Sequence, residues 1–114
     1  MDFDLSQDEK LFKESVHEFL SKELNPIWIK MDSEKKIPTD VIHKMGEQGL
    51  FGIAVPEEYG GQGGSFLLAA LAVEEVAYND PAVATAVFTL LNNSWPYILY
   101  LYGKEEAKQE ILPL

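Results

Sequence analysis

The sequence predicts an all-α domain, a bundle of about six helices around one central apolar helix. Three observations point there. Phe66 to Val73 is an unbroken apolar block rich in Leu and Ala, and these are strong helix formers, whereas strands prefer β-branched or aromatic residues. Helix-start residues stand ahead of segments whose apolar positions recur at helical spacing. No pair of alternating segments reads as a hairpin.

The first helix opens at Ser6-Gln7-Asp8-Glu9, a capping box in which Ser6 caps forward and Glu9 reaches back. Phe12, Val16, Phe19, Leu20 and Leu24 follow one face, and Pro26 should end or kink the helix near Asn25. A short helix starts at Ile27-Trp28-Ile29, and Met31 to Lys36 reads as a charged, exposed connection. Pro38-Thr39-Asp40 is the next start, with proline preset for a first turn. Val41, Ile42 and Met45 supply its buried side, and Gly49 its stop.

Helical periodicity then lapses. Leu50 to Pro56 reads as an extended, mostly buried connection into Tyr59-Gly60-Gly61-Gln62-Gly63-Gly64. Ser65 is placed to cap the central helix, and a helix apolar on nearly every side belongs inside. Asp80 and Pro81 form a further start, with the helix expected from Pro81 to about Leu91. Asn92-Asn93-Ser94 should close or bend it, and Pro96 should open another toward Gly103. Lys104 to Leu112 makes a last amphipathic turn or two before Pro113.

Composition narrows the function. The chain has 114 residues, 46% of them hydrophobic, which suits one folded domain and argues against disorder. It has no cysteine, so disulfides, thiolate chemistry and the common zinc sites are excluded. Net charge is −10 and every one of the nine basic residues is lysine. Such a chain repels nucleic acid and anionic membranes, and it lacks the arginine fork that grips phosphate. Pro81 to Tyr102 carries no charge and could span a bilayer by length. Its central Asn92-Asn93-Ser94 and Pro96 argue instead for buried helices. Met1 to Asp4 lacks the basic start and apolar core of a leader, so a soluble, cytoplasmic protein is expected.

No catalytic constellation stands out. His17 and His43 have no ligand partners at metal spacing, and no serine sits in a GxSxG setting. The glycine loop could offer N–H groups to an anion, but it matches neither phosphate-binding signature, and the simpler reading is a turn that needs positive φ. Glu74 and Glu75 oppose the helix dipole. They read as edge acids meeting lysines of neighbouring helices rather than as a base. Thr85, Thr89 and Asn92 form a stripe at i, i+4 and i+7. Two readings stay open for it: hydroxyls bonded back to their own helix, or a face lining a cavity where small residues leave room for a ligand.

Taken together, LSQDEKLFKESVHEFLSKELNP, IPTDVIHKMGEQGLFGIAVPEEYGGQGGS, AALAVEEVAYNDPAVAT, NNS and ILYLYGKEEAKQEILPL resemble the N-terminal helical domain of FAD-dependent acyl-CoA dehydrogenases. They come in family order and cover essentially the whole chain, with GLFGIAVPEEYGGQGG the most specific block. His17 stands where many relatives carry arginine, which puts a surface ion pair in question.

The resemblance implies that residues 1–114 are one domain of a larger enzyme, with a middle β-domain and a C-terminal helical domain outside this chain. Such enzymes convert acyl-CoA thioesters to trans-2-enoyl-CoA and pass electrons to electron-transferring flavoprotein, and a homo-oligomer is expected. Catalytic base and FAD contacts fall in the later domains, so this chain should hold no catalytic, cofactor or metal residue and be inactive alone. The resemblance places part of the acyl pocket here, with Ala84 and Thr85 as the wall pair and Phe88 and Thr89 one turn on. The isolated chain should associate through apolar surface around Tyr97, Tyr100 and Ile111. The competing expectation is a free-standing helical module that binds a protein or a lipid tail without catalysis.

Overall fold

A computed structural model describes residues 3–113. Among them there is no strand, and the fold is all-α. The helices are α1 (Gln7–Glu23), α2 (Trp28–Glu34), α3 (Thr39–Glu47), α4 (Phe66–Asn79), α5 (Ala84–Tyr102) and α6 (Glu105–Ile111). Short 3₁₀ turns, Asn25–Ile27 and Glu57–Tyr59, precede α2 and the glycine loop. The readings that fall on Met1, Asp2 and Leu114 lie outside the described residues. No described helix is long and apolar enough to cross a membrane.

Local chemistry accounts for most boundaries. The capping box forms: the Ser6 N–H donates to Glu9 Oε1 at 2.7 Å, and the Glu9 N–H to Ser6 Oγ at 3.2 Å. Ser65 Oγ accepts the Leu68 N–H at 3.2 Å at the head of α4. Gly49, Gly60 and Gly63 have φ of 76°, 89° and 66°, the left-handed backbone that glycine adopts without strain. Met31 is 6% exposed. The stretch expected to be an exposed connection is therefore largely helical, because one methionine anchors α2 to the core.

α4 packs against α1 on one side and α5 on another. Its Ala69, Ala72 and Val76 join Leu20 of α1, Leu24 just past the end of α1, Met45 of α3, and Leu50 and Ile53 in the core. Each fully buried leucine there contributes roughly 2 kcal/mol. The row Phe66, Ala70, Glu74 and Tyr78, with Leu67 beside it, stays exposed. Polar ties close the seams between helices: Lys44 Nζ of α3 lies 3.0 Å from Glu23 Oε2 of α1, a hydrogen bond that raises the lysine's pKa.

α5 departs from expectation twice. It begins at Ala84 rather than Pro81, because residues 80 to 83 form a turn. It also runs unbroken through the polar triplet and Pro96 to Tyr102. The side chains of Asn92, Asn93 and Ser94 donate to the carbonyls of Phe88, Thr89 and Leu90, each one turn back, at 2.8–2.9 Å. Pro96 cannot donate to the carbonyl of Asn92. That carbonyl accepts the Gly52 N–H instead, at 3.0 Å, so the proline leaves no unpaired group.

Candidate functional site

The junction between α4 and α5 builds the site. Asp80 is 1% exposed, and its carboxylate accepts from the Ala82 N–H (3.2 Å), the Thr85 N–H (3.1 Å) and the Thr85 hydroxyl (2.5 Å). These bonds satisfy a donor in the first turn of α5 and offset the burial of a charge. The turn they close forces Val83 to φ 73°, a conformation uncommon for a β-branched residue.

From this start the helix divides its faces. Thr85 and Thr89 point inward and are 1% and 0% exposed. The Thr89 hydroxyl donates to the Thr85 carbonyl at 2.7 Å, so both hydroxyls are engaged within the fold. Asn93 continues that buried row, while Asn92 is only half-buried. Ala84 is exposed and Phe88 half-buried, and both line a cleft of about 440 Å³ with Met31, Ile37 and Ile42; Lys35 and Lys36 border it. The four predicted pocket residues thus share one end of one helix, two facing the cleft and two behind it.

A larger cleft of about 770 Å³ lies on the other side of Ile42, lined also by Phe51, Gly61, Leu91, Trp95 and Leu99. The loop beneath it offers nothing to an anion. The N–H groups of Gly60, Gly61, Gln62, Gly63 and Gly64 donate to Glu57, Pro56, Gly52, Val55 and Ile53 carbonyls at 2.7–3.2 Å. A Cβ on Gly61 would stand 2.1 Å from the Val55 carbonyl oxygen, so this glycine permits a close backbone approach. With those amides engaged, the loop itself does not fit the pyrophosphate of a dinucleotide cofactor.

Glu75, read from sequence as an edge acid, is 6% exposed. His17 Nδ1 of α1 lies 2.6 Å from its Oε2 and Lys13 Nζ 3.8 Å from its Oε1. The lysine partner matches the sequence reading, and His17 adds a close polar contact to the same carboxylate. Two carboxylates in an otherwise apolar helix were the signal for this tie. His43 is exposed at the edge of the larger cleft. No group of three or more metal-ligating side chains occurs among the described residues.

At the far end, Tyr97 and Tyr100 are half-buried in a row of rings from Phe66 to Tyr59. The Tyr59 hydroxyl donates to Glu105 of α6 at 2.9 Å. That bond raises the phenol's pKa, and bonds from Gln109 and then Tyr59 lower that of Glu105. Of the surface expected around Tyr97, Tyr100 and Ile111, Ile111 is exposed, and the exposed apolar residues of α5 include Leu90, Trp95, Ile98 and Leu101.

Residues 6–114 match the family model described as acyl-CoA dehydrogenase, N-terminal domain. The chain belongs to that family. It is 40% identical over 111 residues to a probable acyl-CoA dehydrogenase, YngJ, of Bacillus subtilis, covering 96% of this chain and 28% of that protein. Butyryl-CoA dehydrogenase from Megasphaera elsdenii superposes with a TM-score of 0.86 at 30% identity, over 99% of this chain and 30% of that one. A chain in the structure of the electron transferring flavoprotein of Acidaminococcus fermentans superposes with a TM-score of 0.89 at 38% identity, again over 99% and 30%. This acyl-CoA dehydrogenase N-terminal domain therefore spans under a third of the length of the relatives it matches.

Proposed function

We propose that this domain forms one wall of the acyl-chain pocket in an FAD-dependent acyl-CoA dehydrogenase that converts acyl-CoA thioesters to trans-2-enoyl-CoA. The match of residues 6–114 to the N-terminal domain family carries this reading. Ala84 and Phe88 face the tail from α5, the first leaving room and the second bounding its depth. Thr85 and Thr89 back them, contributing shape rather than hydrogen bonds to substrate, since their hydroxyls are already engaged. An acidic, arginine-free surface suits an alkane tail better than the phosphates of CoA.

Proton abstraction and redox chemistry belong to residues and cofactor outside this chain, in a middle β-domain and a C-terminal helical domain. Electrons pass on to electron-transferring flavoprotein, and the exposed flank of α5 is consistent with a protein that buries more surface in a homo-oligomer. The test is acyl-CoA-dependent reduction of an electron acceptor by the flavin-loaded full-length protein across a series of straight-chain thioesters. Turnover with formation of the enoyl product is expected, and Phe88→Ala should move the preference toward longer chains. Absence of turnover with every thioester would overturn the reading.

A further inference from the structure

We propose that Phe51 is a second determinant of acyl length, a positioning residue that acts through Phe88; this rests on the reading of Phe88 as pocket wall. The two clefts meet at a thin partition. Ile42 borders both, Phe88 lines the smaller and Phe51 the larger. The two rings touch edge to face, with centroids 5.5 Å apart and planes at 74°, a favoured aromatic geometry. A tail that reaches Phe88 can go further only if that ring turns aside, and Phe51 stands where it would turn.

Phe51 is itself held. Asn93 Nδ2 donates to the Leu50 carbonyl on one side at 2.9 Å, and on the other the Gly52 and Ile53 N–H groups donate to Asn92 O (3.0 Å) and Asn93 Oδ1 (2.9 Å). Gly46 of α3 lies under the ring, close enough that a Cβ there would meet it at 3.6 Å. With the backbone bonded on both sides of it and α3 beneath, Phe51 is set in place against the Phe88 ring. Removing it gives the Phe88 ring space to yield. Removing both joins the smaller cleft to the larger.

The experiment measures kcat and KM across straight-chain acyl-CoAs, from butyryl-CoA upward, on the flavin-loaded full-length enzyme and its Phe88→Ala, Phe51→Ala, Phe51→Leu and double-alanine variants. Phe51→Ala should favour the longer thioesters by about fourfold in kcat/KM for each methylene newly buried, through KM rather than kcat. Phe51→Leu should shift the same way by less, which keeps the test decisive if the alanine variant folds poorly. The double variant should exceed the sum of the single shifts. If Phe88→Ala shifts the profile while both Phe51 variants match wild type, Phe51 has no part and the pocket reading survives. If Phe88→Ala leaves the profile unchanged, the pocket reading fails and this inference with it.

Discussion

The Gly52 N–H donates to the carbonyl of Asn92 at 3.0 Å, the very acceptor that Pro96 leaves without an intrahelical donor. A helix interior ordinarily loses about 3 kcal/mol to a proline, part of it the missing hydrogen bond. Here a loop N–H replaces that bond, and the loop is docked in return. Restoring the helical donor should set the two in competition. Pro96→Ala is expected to raise stability by about 1 kcal/mol, the relief of the ring clash exceeding the weakened dock. The Gly52 amide should at the same time exchange faster with solvent. Denaturant unfolding reads the first effect and hydrogen exchange the second; a slower Gly52 amide would contradict the account.

Asn93 does more with one side chain. It accepts from the Ile53 N–H and donates to the carbonyls of Leu50 and Thr89, all in a buried setting. Asn93→Ala leaves those groups without partners and should cost about 3 kcal/mol. Asn93→Asp should be no better. It keeps the acceptor for Ile53 but turns a carboxylate oxygen toward two carbonyl oxygens. Midpoints from urea titration of the three proteins check the order.

Val83 holds a left-handed backbone, and its side chain is 46% exposed, so it gains little from burial to offset the strain. Val83→Gly should stabilise the domain by about 1 kcal/mol, the relieved strain exceeding glycine's extra chain entropy. Asp80→Ala should do the reverse by about 2 kcal/mol, since it strips the acceptor from two backbone N–H groups and a hydroxyl. Thermal unfolding separates the two directions.

These residues also show how far the sequence could be read. The starts of α1 and α4 were legible because their caps lie within three residues of the groups they satisfy. Asp80 was legible as a start signal but not as to place: its bond to the Thr85 N–H spans five residues, and α5 begins at Ala84 rather than at Pro81. The turn it closes, and with it the true start of α5, depends on Val83 accepting a conformation that its residue type disfavours. The continuity of α5 was hidden for a different reason: Pro96 and the polar triplet break helices in isolation, and their partner is a loop about forty residues earlier. Ala84 and Phe88 came from family resemblance, and the hydroxyl stripe singled out on pattern proved to face inward. Phe51 left no mark, since an apolar residue in a connection between helices has no period to betray which ring it meets.

Tyr59 and Glu105 predict a pH window for the docking of α6. The glutamate's lowered pKa contributes stability that is present above its ordinary range and is lost as pH falls through the lowered value. The phenol's raised pKa contributes stability present below its ordinary range and lost as pH rises through the raised value. Glu105 is exposed and Tyr59 half-buried at the surface, so the effects are local and small. Amide shifts of residues 105–111 followed by NMR should move at both ends. Tyr59→Phe should abolish the alkaline step and keep part of the acid one, which Gln109 sustains.

The ties from Asn93 to Ile53 and Leu50 bridge 40 and 43 positions of chain. During synthesis, α1 leaves the ribosome with its capping box at hand, and α2 and α3 follow with short-range neighbours of their own. The 50–53 stretch has its backbone donors and acceptors ready but must wait for α5 to emerge. Until then the Gly52 and Ile53 N–H groups and the Leu50 carbonyl lack their α5 partners, and the vectorial order of translation makes this seam late to settle.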